Sequence, residues 1–138
     1  MMRFLFIVIT AVGLLSCNGG ASKDKTAKNM THTTAKSGIV EVLYFHGKQR
    51  CITCNSIEKL TKQVVDSIAS EQVVLRVVDI SLPENEALAD KYEVAFASLI
   101  LEKEGTVVNL TEMGFANAKN HRDEFKAELT KAIDKLNQ

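Results

Sequence analysis

The chain has 138 residues, of which 46% are hydrophobic and 25% are charged. This length and composition are typical of one globular domain with a hydrophobic core, and they exclude a fibrous or wholly disordered protein. Acidic and basic residues balance at 17 each, and the sequence has no basic cluster with interleaved aromatic residues. We therefore expect no nucleic-acid partner.

The first 16 residues have the features of an export signal. Arg3 supplies a positive charge, and residues 4–15 form an apolar run that is too short to span a bilayer stably. Ser16 and Cys17 then end this run, a pattern that resembles the bacterial lipoprotein signal. The resemblance implies cleavage before Cys17 and attachment of a membrane-anchoring lipid to that cysteine. An ordinary cleaved secretory signal or an N-terminal membrane anchor is the alternative, and each of these predicts an exported chain.

The three cysteines of the chain fit this interpretation. If Cys17 carries lipid, Cys51 and Cys54 remain as one C-x-x-C pair, which accounts for the odd number. In an oxidising envelope compartment, such a pair can cycle between dithiol and disulfide. A structural disulfide more often joins distant segments and closes a long loop. We therefore expect the pair to be redox active.

Residues 18–37 are rich in Gly, Ser, Thr, Asn and Lys and show no apolar periodicity. They are predicted to form a flexible tether, because they cannot bury enough surface to offset the entropy of ordering. A random coil of about 20 residues has a reach on the order of 25 Å, enough to hold a small domain near a membrane surface. The sequence thus predicts a signal peptide at 1–16, lipidated Cys17 and tether at 17–37, and a folded domain at 38–138.

Strand and helix patterns alternate through this domain. Near-continuous apolar runs predict strands covered on both faces at 39–46 and 73–80, and apolar residues at helical spacing predict a helix at 51–70. The remaining predicted elements are a short helix at 84–92, strands at 98–103 and 106–113 joined by a tight turn at Glu104 and Gly105, and a helix at 117–136 that follows Gly114.

The resulting order is βαβαββα. A strand–helix–strand unit requires a parallel crossover, and the closing hairpin adds antiparallel strands on the other side of the first strand. The sequence therefore predicts an α/β fold in which a mixed four-stranded sheet carries helices on both faces. Cys51 and Cys54 fall at the N-terminus of the first helix.

This order, with a C-x-x-C motif that opens a helix directly after a strand, resembles the thioredoxin superfamily over residues 38–138. The resemblance implies a thioredoxin-like fold and a thiol-disulfide oxidoreductase or electron-relay protein. Its partner would be an envelope protein with a dithiol or disulfide, and no bound cofactor is implied. Residues 44–54 also resemble short exported proteins of the ArsF-type nitrophenyl compound nitroreductase subunit family, whose label says little about substrate.

The position of the motif also has a physical consequence. A thiolate at a helix N-terminus faces unpaired backbone N–H groups and the positive end of the helix dipole. Cys51 is therefore predicted to be the exposed nucleophile, and Cys54, one turn further on, is positioned to attack a mixed disulfide at Cys51. Arg50 and Lys48 either add positive potential here or are solvated surface cations.

Some positions depart from the thioredoxin pattern. Arg50 lies where thioredoxins carry a tryptophan, and Ile52 and Thr53 replace the usual Gly-Pro pair. Ala97 falls at the position of the cis-proline of the thioredoxin site, and no carboxylate is expected beneath the dithiol. A cis bond before a non-proline residue costs roughly 3 kcal/mol or more, so the Phe96–Ala97 bond is predicted to be trans. A trans bond would reshape the loop facing the dithiol and narrow the activity to a dedicated partner.

Other polar and aromatic residues leave alternatives open. His46 is either a packed or capped histidine, or a proton carrier or third metal ligand near the dithiol. Glu58 is expected to be a solvated surface acid, and Tyr92 and Phe96 are expected in the core rather than in a substrate groove. The two thiolates also suit a soft metal ion or arsenite, and a docking domain with a static disulfide is a third possible function.

Overall fold

The computed structural model describes residues 38–138, so the predicted signal peptide, Cys17 and the tether lie outside the described residues. The strands in this range are β1 (Val40–His46), β2 (Val73–Asp79), β3 (Ser98–Lys103) and β4 (Thr106–Asn109). The helices are α1 (Ile52–Ile68), α2 (Glu86–Lys91), α3 (Thr111–Asn117) and α4 (Arg122–Asn137), with a 3-10 turn at Pro83–Asn85. None of the helices between residues 38 and 138 has the length and apolarity that crossing a bilayer requires.

The strands form one mixed sheet in the order β2-β1-β3-β4. β1 pairs with β2 in parallel, with His46 opposite Asp79 at the carboxyl end of both strands. On its other side β1 pairs with β3 in an antiparallel manner, with Phe45 opposite Ser98. β3 and β4 form the antiparallel hairpin, whose turn residue Gly105 has a φ of 86°. The predicted α/β fold with a mixed four-stranded sheet is confirmed.

Because successive side chains of a strand point to opposite faces, β1 contributes to two cores. On one face, Val40, Val42 and Tyr44 pack with apolar residues of α1 and α4. On the other face, Leu43 and Phe45 pack with residues in and just after α2. Helices therefore cover both faces of the sheet, as predicted. Val40 and residues 42–45 are wholly buried, which explains the almost continuous apolar sequence of β1.

The segment after the hairpin differs from the prediction. Residues 106–113 were expected to form one strand ended by Gly114, but β4 ends at Asn109 and residues 111–117 form helix α3. Asn109 accepts a hydrogen bond from the N–H of Thr111, and the Thr111 hydroxyl accepts one from the N–H of Leu99. These two bonds turn the chain out of the sheet immediately after β4. The order is therefore βαβαββαα.

The last helix also begins later than predicted. The helix expected at 117–136 starts instead at Arg122, because residues 118–120 form a turn between α3 and α4. Ala118 in this turn is wholly buried. Its spacing from Phe125 fits a helix, but it belongs to the connection between α3 and α4. The apolar stripe of α4 itself, Phe125, Leu129 and Ile133, is buried as expected.

β2 is an edge strand, although its sequence predicts a strand covered on both faces. Val74 and Val77 are 40% and 44% exposed. Among residues 38–138, β2 pairs only with β1, which leaves its outer edge without a neighbouring strand. A run of β-branched residues indicates a strand but does not distinguish a central strand from an edge strand, which explains the difference.

Candidate redox site

Cys51 and Cys54 form a disulfide at the start of α1, with their Cα atoms 5.0 Å apart. Cys51 is exposed, whereas Cys54 is 7% exposed. The sulfur of Cys51 accepts a hydrogen bond from the N–H of Cys54 at 3.1 Å. Of the two cysteines, Cys51 is therefore the one accessible to a partner molecule.

Cys51 is the N-cap residue of α1. Its backbone is extended, with φ −77° and ψ 166°, and its side chain rather than a serine or aspartate oxygen accepts the capping hydrogen bond. The N–H groups of the first turn have no partner within the helix, and the helix dipole is positive at this end. The first turn of α1 contains no acidic residue that would oppose this potential. After reduction, a negative charge on the Cys51 sulfur is therefore favoured.

Tyr44 connects the central strand to this helix. Its hydroxyl donates a hydrogen bond to the carbonyl oxygen of Cys54 at 2.8 Å, and its side chain is wholly buried. Burial raises the pKa of Tyr44, against a smaller lowering effect of Arg50, so the hydroxyl keeps its proton at neutral pH. Sequence reasoning missed this contact. Its one signal was the alternation of β1, which places Tyr44 on the same face as Val40 and Val42.

Arg50 is held at the site by two contacts. Its guanidinium pairs with Glu58 of α1 and lies over the Tyr44 ring, 5.9 Å from the ring centre. The Arg50 and Glu58 side chains are 27% and 31% exposed. The Nε of Arg50 is buried and has no hydrogen-bond partner within residues 38–138. The expectation that Glu58 is a solvated surface acid is wrong, because the loop before Cys51 brings an arginine to it.

His46 and Asp79 lie side by side where β1 and β2 end. The Nδ1 of His46 donates to the carbonyl oxygen of Gly47 at 3.0 Å, and its ring centre is 6.2 Å from that of Tyr44. The pKa of Asp79 is lowered, first by hydrogen bonds from Ser81 and further by electrostatic interaction with His46 and Arg50. Within the described part of the chain, no group of three or more His, Cys, Asp or Glu side chains could hold a metal ion.

The loop before β3 lies at the same end of the sheet as the dithiol, because Ser98 pairs with Phe45 near the end of β1. The Phe96–Ala97 bond is trans, as predicted, since no peptide bond of the described residues is cis. Phe96 is 64% exposed, so its predicted place in the core is wrong. Tyr92 does pack on the core, with its ring 5.9 Å from that of Phe45.

Solved structures of thioredoxins share this architecture. The Malassezia sympodialis thioredoxin Mala s 13 matches with a TM-score of 0.52 and 18% sequence identity, over 75% of this chain and 80% of that one. The germline-specific thioredoxin Deadhead of Drosophila melanogaster matches with a TM-score of 0.50 and 18% identity, over 72% of this chain and 82% of its own. This chain has a thioredoxin-like fold.

In this thioredoxin-like fold, the C-x-x-C pair lies at the junction of the central strand and the first helix, as the sequence predicts. Identities of 18% establish the fold and not the activity of the relatives. A scan against protein-family models and a search of curated proteins find no match to the chain. The narrower resemblance to the ArsF-type family therefore stays a prediction.

Proposed function

We propose that the protein is a thiol-disulfide oxidoreductase that exchanges electrons with a dithiol or disulfide of an envelope protein. The observation that carries this proposal is the arrangement of Cys51 and Cys54, in which an exposed cysteine at the N-terminal end of α1 is bonded to a buried one. An exposed first cysteine can form a mixed disulfide, and a buried second cysteine can resolve it. The thioredoxin-like fold supports the same activity.

In the reducing direction, the Cys51 thiolate attacks one sulfur of the partner's disulfide and forms an intermolecular disulfide. The other partner sulfur leaves as a thiolate and takes up a proton. Cys54 then loses its proton and attacks the Cys51 sulfur, which closes the Cys51–Cys54 disulfide and releases the second partner thiol. Two electrons pass to the partner, and a second envelope protein with a dithiol returns them. The same steps in reverse oxidise a partner dithiol.

We also propose where this exchange takes place. The export signal and the lipidation motif at Cys17 support a lipoprotein of the bacterial envelope, either facing the periplasm or held at the outer membrane. The tether at 17–37 would let the domain reach partners close to the membrane surface. The resemblance of residues 44–54 to the ArsF-type family supports a role as an electron-relay protein.

A soft metal ion or arsenite would use the same two sulfurs. Because residues 38–138 offer no group of three ligating side chains, a closed metal shell would need a ligand from a second copy or a partner. This function and that of a docking domain with a static disulfide predict different outcomes in one redox titration.

In that titration, the full chain is equilibrated with mixtures of reduced and oxidised glutathione, with and without Zn²⁺ or arsenite. Alkylation and mass spectrometry of the peptide that carries Cys51 and Cys54 report the reduced fraction. We expect a reversible two-electron transition whose midpoint is the same with and without the added ion. If Zn²⁺ or arsenite shifts the midpoint to more oxidising mixtures, so that the dithiol persists there, the metal-binding function is indicated. A disulfide that stays oxidised in every mixture indicates the docking domain.

A second measurement identifies the partner. A chain with Cys54→Ser should accumulate a mixed disulfide between Cys51 and an envelope protein, because the resolving thiol is absent. The matched Cys51→Ser chain should not, since its remaining thiol is buried. Non-reducing gels and mass spectrometry of the trapped species measure both. Equal trapping by the two variants contradicts the assigned roles.

A further inference from the structure

A continuous set of contacts surrounds the first turns of α1. Glu58 pairs with the guanidinium of Arg50, which lies 5.9 Å from the centre of the Tyr44 ring. The Tyr44 hydroxyl in turn donates to the carbonyl oxygen of Cys54 at 2.8 Å. Arg50 directly precedes Cys51, so this set of contacts begins next to one cysteine and ends at the other.

The charges in this set interact more strongly than charges on an open surface. The side chains of Arg50 and Glu58 are both less than a third exposed, so solvent screens them only in part. The Nε of Arg50 is buried and keeps an unused donor within the described chain. The positive charge of Arg50 is therefore expected to act on nearby groups at the start of α1, and the negative charge of Glu58 partly cancels this effect.

We propose that Glu58 is a positioning residue that holds Arg50 against Tyr44, and that it determines how much of the arginine's positive charge stabilises the Cys51 thiolate. Glu58 thereby sets the equilibrium between the dithiol and the disulfide. This inference rests on the proposed function, which needs that equilibrium to match the partner's.

Other titratable groups also lie at this end of the domain. His46 lies on β1, Lys48 is exposed in the following loop, and Asp79 lies at the end of β2. The Asp79 carboxylate accepts hydrogen bonds from the N–H and the hydroxyl of Ser81, at 2.9 and 2.7 Å. Asp79 also interacts electrostatically with Arg50. A neutral residue at position 58 changes the charge of none of these groups, so its effect on Cys51 is measured against the same background in every variant.

The test compares Glu58→Gln, Arg50→Gln and the double variant in the full chain. Positions 51 and 58 are about 10 Å apart along the helix, so one charge is expected to move the pKa of Cys51 by about 0.3 to 1 unit. Glu58→Gln should lower this pKa and shift the equilibrium with glutathione toward the dithiol by about two- to tenfold. Arg50→Gln should raise the pKa, and the double variant should return close to the wild-type value.

The pKa is read from the pH dependence of alkylation of Cys51 in the reduced chain, quantified on its peptide. Asp66→Asn is the matched control, since it removes one negative charge from an exposed pair with Lys62 further along α1. It should leave the Cys51 pKa unchanged. Arg50→Lys keeps the charge but not the planar guanidinium, so it should retain part of the stabilisation of the thiolate that Arg50→Gln loses, which separates a charge effect from a purely structural one.

The inference is overturned if Glu58→Gln and Asp66→Asn change the Cys51 pKa equally. It is also overturned if Glu58→Gln and Arg50→Gln shift this pKa in the same direction. Its failure is distinguishable from that of the proposed function. Shifts of the expected signs without any trapped envelope protein overturn the proposed function alone. A trapped partner without the shifts overturns only the role of Glu58.

Discussion

At the scale of single residues, the hydrogen bond of Tyr44 ties the first turn of α1 to the central strand. Tyr44→Phe keeps the ring but leaves the Cys54 carbonyl without this donor, so the free energy of unfolding should fall by about 1 kcal/mol. Urea unfolding at pH 7 measures the difference. The matched control is Tyr92→Phe. The Tyr92 hydroxyl accepts a hydrogen bond from exposed Lys91 at 2.9 Å, so its loss should lower the free energy of unfolding less. Equal losses in the two variants would contradict the role of Tyr44.

The same residue predicts a pH dependence. Burial raises the pKa of Tyr44 above the ordinary value of 10.0, so the folded chain holds this proton more tightly than the unfolded chain does. The corresponding stability is complete below pH 10 and is lost as the pH rises through the folded-state pKa. Unfolding measured between pH 9 and 11 should therefore show a shallower loss of stability in Tyr44→Phe than in the wild type.

Ala97 is one of the positions at which the sequence departs from the thioredoxin pattern. Proline at this position would restore the loop with which thioredoxin-like proteins hold an extended substrate, so Ala97→Pro should raise the rate of reduction of small generic disulfides. It should also lower any affinity of the dithiol for soft metal ions. A coupled thiol assay and a Zn²⁺ competition assay measure these, with Ala95→Pro in the same loop as the control. If both properties stay unchanged in Ala97→Pro, this account of specificity is wrong.

At the scale of elements, α3 contains a glycine that its packing does not require. A Cβ on Gly114 would lie 3.5 Å from the Cδ1 of Ile57 and 3.8 Å from the Phe125 ring, which are ordinary contact distances. Alanine also has the higher helix propensity. Gly114→Ala should therefore raise the free energy of unfolding by about 0.5 to 1 kcal/mol, measured by urea unfolding. Gly114→Leu is the control and should destabilise, because its larger side chain overpacks this contact.

The elements also show where sequence reasoning succeeds. The bounds of β3 are predicted at both ends, because a tight turn at Glu104 and Gly105 fixes one end and the run of apolar residues fixes the rest. α3 is missed because the apolar residues after Thr106 continue past the point at which the chain leaves the sheet. The hydrogen bonds that turn the chain involve Leu99, which is distant in sequence and therefore not visible in the local pattern.

The candidate site divides in a similar way. Cys51 and Cys54 are predicted from the motif and from the helix pattern that follows it. The pairing of Arg50 with Glu58 is not predictable from helical spacing, because Arg50 precedes the helix and reaches Glu58 only through the conformation of its loop. The contact of Tyr44 with Cys54 depends on how the helix lies across the sheet, which the sequence does not specify.

At the scale of the whole molecule, the proposed lipidation of Cys17 predicts where the protein is found. Cys17→Ala removes the only cysteine outside the C-x-x-C pair and with it the expected site of lipidation. Membrane fractionation should then show the processed chain moving to the soluble fraction, while Cys51→Ala leaves it with the membrane. A processed Cys17→Ala chain that still fractionates with membranes would contradict the lipoprotein interpretation.

The open side of β2 has a consequence for solubility. An edge strand with unpaired backbone groups can recruit the same strand of another chain, and residues 73–78 would be an uninterrupted apolar run of this kind without Arg76. The Arg76 side chain is half exposed and lies 3.7 Å from the Glu41 carboxylate on β1. We therefore expect Arg76 to oppose intermolecular strand pairing, because the other charged residue of β2, Asp79, lies at the end of the strand and no strand of the described domain covers the edge.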